Sequence, residues 1–115
     1  MQWPESPLIK IAEAEDHTLF RQTLCHNIDT WENFKVTIQA ANGRQLLEKL
    51  QTKNQPHLAL IDLEMPVMNG YETIKAIQES YLSIRVLVIS QYHSEELVCR
   101  IIKLGAQGFI KKMMT

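Results

Sequence analysis

The apolar positions of the chain switch repeatedly between short continuous runs and helical spacing. Short runs typical of buried strands occupy residues 8–14, 58–61 and 84–89, and a shorter one occupies residues 108–110. Residues 35–40 alternate polar and apolar side chains, as a half-exposed edge strand does. The pattern therefore predicts five strands.

Helical spacing fills the segments between these runs. After Thr18, the residues Phe20, Leu24 and Ile28 recur at every fourth position, which is one face of a helix. Three later helices are predicted from the following apolar faces: Leu46, Leu47 and Leu50 after Asn42-Gly43; Ile74 and Ile77; and Leu97, Ile101 and Leu104. Strands that alternate with helices through short connections predict one α/β domain, a parallel sheet with helices on both faces.

The ends of two predicted helices carry specific signals. Asn69 is followed three residues later by Glu72, which is the form of a capping box. Ser94 suits a helix N-cap, and Gly105 is placed to stop the same helix.

Composition narrows the class of protein. A chain of 115 residues forms one domain, and its net charge of −1 with scattered Lys and Arg gives no basic patch for nucleic acid. The two cysteines, Cys25 and Cys99, predict free thiols in a reducing compartment. Residues 1–7 form a polar tail unlike a signal peptide, and no apolar run is long enough to cross a bilayer. We therefore expect a soluble, cytoplasmic protein.

Chemically active residues follow four of the predicted strands. These positions are Glu15-Asp16, Asp62, Ser90 and Lys111-Lys112. Ligands of an open parallel sheet bind beyond the carboxyl ends of its strands, so these side chains should lie together. Two carboxylates about 4 Å apart repel by roughly 4 kcal/mol at an effective dielectric near 20. The cluster thus predicts a divalent cation with oxygen ligands, magnesium, and Lys112 should offset part of the charge without it.

A metal held by carboxylates beside a lysine and a hydroxyl suits phosphoryl transfer. Catalysis of that reaction is mostly positioning and electrostatic stabilisation, and a carboxylate can itself be the nucleophile. The same residues could instead be ordinary turn and loop residues, the interpretation that each would favour if it stood alone.

Together these motifs resemble the receiver domain of two-component response regulators over nearly the whole chain. The matching segments are residues 14–17 (AEDH), 62–70 (DLEMPVMNG), 88–90 (VIS) and 105–112 (GAQGFIKK). Residues 15–21 are most similar to the LuxR/NarL-type subfamily. The resemblance implies a flavodoxin-like (CheY-like), doubly wound, five-stranded parallel sheet with strand order 2-1-3-4-5. The receiver domain would occupy residues 8–115, and the chain stops at Thr115, where the final helix of the family should begin.

The resemblance also assigns a role to each residue at the strand ends. Asp62 would accept the phosphoryl group, and Ser90 and Lys112 would contact it. Phe109 would swing inward as Ser90 moves. The remaining assignments are Mg²⁺ ligation by Glu15, Asp16, Asp62 and the backbone carbonyl of Glu64, and tuning of dephosphorylation by Glu64, Gln91 and Tyr92.

The implied partner is a sensor histidine kinase or a phosphotransfer protein, with a homodimer left open. Such a domain would catalyse only its own phosphorylation and dephosphorylation. It would reach DNA, and so regulate transcription, only through a C-terminal domain that is not in this chain. An alternative is a degenerate receiver that acts only as an interaction module.

Two further classes of protein fit the sequence less well. A phosphatase of the haloacid-dehalogenase class has a second Asp two residues after its nucleophile, where this chain has Glu64. A flavodoxin-like flavin binder needs a loop that cradles an anion, which Glu15-Asp16 would repel. One residue has no assigned role: Glu13, within the first apolar run, needs either a polar strand end or a partner.

Overall fold

The computed structural model describes residues 7–52 and 54–112. Strands and helices alternate in the predicted order, as follows: β1 (Ile9–Ala14), α1 (Thr18–Asp29), β2 (Phe34–Ala40), α2 (Gly43–Thr52), β3 (Leu58–Asp62), α3 (Gly70–Ser80), β4 (Arg85–Ser90), α4 (Glu95–Leu104) and β5 (Gly108–Lys111). Residues 1–6 of the expected tail and the end of the chain, 113–115, lie outside the described residues. None of the described helices is long and apolar enough to cross a membrane.

The strands form one parallel sheet in the order β2-β1-β3-β4-β5, which confirms the expected topology. Its register brings the carboxyl ends together, since Ala14 pairs with Ile61 and Ser90 pairs with Lys111. Asp62, the last residue of β3, pairs with Ile89. The residues that follow the strands therefore meet at one edge of the sheet.

Apolar clusters lie on both faces of the sheet. On one face, α2, α3 and α4 bury a large cluster that includes Leu46, Ile74 and Ile101. On the other face, α1 covers a smaller cluster around Ile11 and Ile28. Beside α1, a mostly apolar groove of about 430 Å³ extends across β4 and β5. The described residues contain four helices, as expected of a receiver fold without its final helix.

The predicted helix ends are confirmed in detail. Asn69 accepts a hydrogen bond from the Glu72 backbone N–H at 3.0 Å, and the Glu72 side chain accepts one from the Asn69 N–H at 3.2 Å. The Ser94 hydroxyl accepts from the Leu97 N–H at 3.1 Å. Gly105 ends α4 with a φ of 113°, which glycine adopts without strain.

The start of α3 packs directly against the end of β3. The Gly70 N–H donates to the Leu63 carbonyl oxygen at 3.0 Å. A Cβ at Gly70 would lie 2.5 Å from the Asp62 carbonyl oxygen, closer than real Cβ atoms come to backbone. The glycine of the 62–70 motif is therefore required by close approach, and it helps to fix Asp62.

Candidate functional site

Three carboxylates converge beyond the ends of β1 and β3. Carboxylate oxygens of Glu15, Asp16 and Asp62 all lie within 4.8 Å of one another. Glu15 and Asp62 are buried, whereas Asp16 is exposed. The acidic cluster that the strand ends predict is present in the fold.

Lys112 reaches this cluster from the end of β5. Its Nζ makes a buried ion pair with Glu15 Oε1, and both side chains are nearly inaccessible to solvent. Its backbone N–H donates to the Ser90 carbonyl oxygen at 2.7 Å, which continues the β4–β5 pairing past Lys111. Lys112 thus offsets part of the negative charge, as expected, while Lys111 is exposed.

Burial sets the protonation of the two buried acids. Burial, and then hydrogen bonding and repulsion from Glu15, raise the pKa of Asp62 to about 8. Burial also acts to raise the pKa of Glu15, but hydrogen bonds from Asp62 and Lys112 outweigh it and the pKa is lowered. Burial and the neighbouring Glu15 carboxylate therefore favour the protonated form of Asp62, whereas the hydrogen bonds from Asp62 and Lys112 favour the ionised form of Glu15.

A polar cavity of about 180 Å³ opens above Asp62. Its lining residues are Asp16, Asp62, Glu64, Ser90, Gln91, Tyr92 and Lys112. The buried Ser90 hydroxyl accepts a hydrogen bond from the Tyr92 N–H at 3.1 Å. Glu64, Gln91 and Tyr92 are exposed at the mouth of this cavity.

Two of the predicted site residues lie away from the cavity wall. Glu15 is buried behind the cavity, where it contacts Lys112. Phe109 is half-buried against the large apolar cluster, and its ring centroid lies 5.5 Å from that of His93. The structure therefore brings the acids, Ser90 and Lys112 together, and it places Phe109 on the neighbouring surface.

The residues present suit a magnesium ion. Three carboxylates face one lysine, so the cluster carries excess negative charge when ionised, and carboxylate oxygens are the hard donors that magnesium prefers. Glu64 lines the same cavity, and ligation by its backbone carbonyl stays a prediction.

A sequence profile of the response regulator receiver domain matches residues 11–115. The chain belongs to the response regulator receiver family. This receiver domain is 37% identical over 100 residues to the nitrate/nitrite response regulator NarL of Escherichia coli, covering 87% of this chain and 46% of NarL. It is 35% identical over 106 residues to a protein-glutamate methylesterase/protein-glutamine glutaminase of Clostridium acetobutylicum, covering 90% of this chain and 30% of that protein.

Solved structures agree with this assignment. The signal receiver domain of a NarL response regulator from Mycobacterium tuberculosis superposes with a TM-score of 0.86 at 29% identity, covering 95% of this chain and 87% of that one. The receiver domain spans about half or less of the length of the two curated relatives. Those relatives are named for different activities, a nitrate/nitrite regulator and a methylesterase, so family membership alone does not fix the output.

One contact near the site was missed by sequence reasoning, and one residue that the sequence left without a role is now placed. The Arg21 guanidinium donates to the Glu15 carbonyl oxygen at 2.6 Å. Glu13 is fully buried within β1, and neither of its carboxylate oxygens has a hydrogen-bond partner among residues 7–52 and 54–112. The sequence does show an arginine inside the 15–21 motif and an acid inside an apolar run. Neither feature predicts which atoms these side chains contact.

Proposed function

We propose that this receiver domain accepts a phosphoryl group on Asp62 in a magnesium-dependent reaction. The observation that carries the proposal is the buried Asp62 carboxyl at the end of β3, in one polar cavity with Asp16, Ser90 and Lys112. A nucleophile, a cation and a hydroxyl thus surround a space that can admit a phosphoryl group.

Magnesium would be held directly by the carboxylates of Asp16 and Asp62 and by the Glu64 backbone carbonyl, and by Glu15 mostly through water. When bound, it would neutralise negative charge on the acids and on the phosphoryl oxygens. Burial raises the pKa of Asp62 in the metal-free site, so bound magnesium would favour the ionised carboxylate that acts as the nucleophile.

The transfer then forms one bond and breaks one. A carboxylate oxygen of Asp62 attacks the phosphorus atom, and the bond between phosphorus and the donor's leaving atom breaks. The Lys112 ammonium, now paired with Glu15, would shift toward a phosphoryl oxygen, and the Ser90 hydroxyl would donate to another. Glu64, Gln91 and Tyr92, at the mouth, would set how fast water reaches the acyl phosphate.

The donor would be a sensor histidine kinase or a phosphotransfer protein, and the domain would turn over no external substrate. Movement of Ser90 toward the phosphoryl group would let Phe109 repack and change the surface near α4 and β5. This surface would control a homodimer or a DNA-binding domain elsewhere in the parent protein, and so regulate transcription. Similarity to relatives named as transcriptional regulatory proteins, at 32% and 31% identity, supports this output.

The test is the mass of the intact protein after incubation with acetyl phosphate. We expect the mass of one phosphoryl group to be added only when magnesium is present, and not in Asp62→Asn. Asp29→Asn is the matched control, since Asp29 is exposed at the end of α1. A folded wild-type protein that gains no mass would contradict the proposal and favour an interaction module.

A further inference from the structure

The loop that carries Glu15 and Asp16 is held at its base by Arg21. The Glu15 N–H donates to the Ala40 carbonyl oxygen of β2 at 3.0 Å, which extends the sheet by one residue. On the other side of the same residue, the Glu15 carbonyl oxygen accepts from Arg21 Nη1 at 2.6 Å. Because a peptide unit is planar, a fixed Glu15 carbonyl also fixes the Asp16 N–H and limits the direction in which Asp16 leaves the strand.

Arg21 belongs to α1, so its hydrogen bond to the Glu15 carbonyl oxygen joins the two ends of the short loop between β1 and α1. Only residues 15–17 separate β1 from α1, and the Arg21 backbone N–H donates to the His17 carbonyl oxygen at 2.9 Å. That backbone bond is the first i→i−4 bond of α1, whereas the bond to Glu15 is made by the Arg21 side chain and ties the start of α1 to the end of β1.

Glu13 shares a face of the sheet with Glu15. Side chains alternate along a strand, so both lie on the face that α1 covers. Arg21 Nε and both Glu13 carboxylate oxygens are buried and lack partners within the part of the chain that the structure describes. Glu13 is therefore not a hydrogen-bond partner of Arg21, and the side-chain contact of Arg21 that bears on the loop is the one with the Glu15 carbonyl oxygen.

We propose that Arg21 is a positioning residue for the acid pair Glu15-Asp16, and that it acts through its hydrogen bond to the Glu15 carbonyl oxygen. The inference rests on the proposed function, because the acid pair that it orients is the proposed magnesium site. A guanidinium suits the task since its planar, charged donor group gives the hydrogen bond a defined direction, whereas a lysine offers a single point charge.

The first arm of the test uses the full chain without metal. Amide hydrogen exchange of Glu15 and His17 reports on the loop, because both N–H groups have acceptors in the structure. We expect Arg21→Ala to speed exchange at these positions by roughly tenfold, as for loss of one hydrogen bond to a charged group. Arg44→Ala, which removes an exposed arginine of α2, should leave it unchanged.

The second arm measures magnesium affinity by calorimetry and the magnesium dependence of phosphorylation by acetyl phosphate. Loss of a residue that orients a metal ligand typically weakens metal binding by roughly 10–100-fold. We expect that shift in Arg21→Ala, a smaller one in Arg21→Lys, and recovery of the wild-type rate at saturating magnesium. A folding defect would instead lower the maximal rate without moving the half-saturating concentration.

The outcomes separate this inference from the proposed function. If wild-type protein neither binds magnesium nor gains a phosphoryl group, the proposed function fails, and the metal-free exchange arm still decides whether Arg21 positions the loop. If wild-type protein does both while Arg21→Ala matches Arg44→Ala in exchange and in magnesium affinity, the positioning role is overturned and the phosphoryl chemistry stands.

Discussion

Raising the pH should destabilise the metal-free domain. Asp62 and Glu13 are buried, and each has a pKa raised to about 8 from ordinary values of 3.8 and 4.5. Between those ordinary values and about 8, the folded protein keeps two protons that the unfolded chain gives up. The free energy of unfolding is therefore highest below the unfolded pKa values and falls as the pH rises toward about 8.

The size of the effect follows from the proton count. One proton corresponds to about 1.4 kcal/mol per pH unit, so the two groups together give a slope of up to about 2.7 kcal/mol per unit from about pH 5 to pH 7. This is a large share of the roughly 5–15 kcal/mol that holds most domains together. Glu15 does not oppose the slope in this window, since its pKa is lowered and its contribution is lost only in more acidic solution.

Urea unfolding with a chelator, at several values from about pH 5 to pH 8, measures this slope. Asp62→Asn and Glu13→Gln each remove one of the two protons, so each should lower the slope of the free energy of unfolding by roughly 1.4 kcal/mol per pH unit. Glu48→Gln, a change at an exposed carboxylate of α2, should keep the wild-type slope. A stability that is flat with pH in the wild type, or a slope that neither buried variant changes, would refute the reasoning.

Five further substitutions, at four positions, test the packing and capping around the site by chemical or thermal unfolding. Gly70→Ala should cost about 1–3 kcal/mol because its Cβ would meet backbone. Gly108→Ala should cost less because its Cβ would meet only a leucine side chain, and equal losses would contradict this packing. Lys112→Met should cost about 3–5 kcal/mol by leaving Glu15 buried without its cation, and magnesium should restore part of the loss. Asn69→Ala should cost about 1 kcal/mol, whereas Asn69→Asp, which keeps a capping oxygen, should cost little.

Much of the fold can be predicted from the sequence because the features that determine it lie within a few residues of one another. The capping box at Asn69 and the N-cap at Ser94 each depend on residues three apart, and both are confirmed. The strand boundaries were predicted less exactly. A strand begins and ends where its backbone hydrogen bonds do, and the hydrophobic pattern does not show these. Residues 84–89 were predicted as a strand, yet the Ile84 N–H bonds to Tyr81 in the preceding turn. The strand starts at Arg85 and extends to Ser90, which pairs with Lys111.

The site was predictable as far as strand order brings residues together. Parallel strands end at one edge of the sheet, so the strand order alone predicts that the acids, Ser90 and Lys112 lie near each other. The contact between Arg21 and the Glu15 carbonyl depends on loop shape and on a side-chain conformation, neither of which a residue pattern encodes. The opposite pKa shifts of Asp62 and Glu15 depend on burial and on the distance between the two carboxyls, so they also required the structure.

The most direct test of the central claim is the chemical identity of the modified residue. Borohydride reduces an acyl phosphate on aspartate to homoserine, so peptide mass spectrometry after treatment with acetyl phosphate, magnesium and then borohydride marks the acceptor. We predict homoserine at position 62 and an unchanged peptide when magnesium is removed. Homoserine at position 16, or a phosphate that survives on Ser90 instead, would contradict the account.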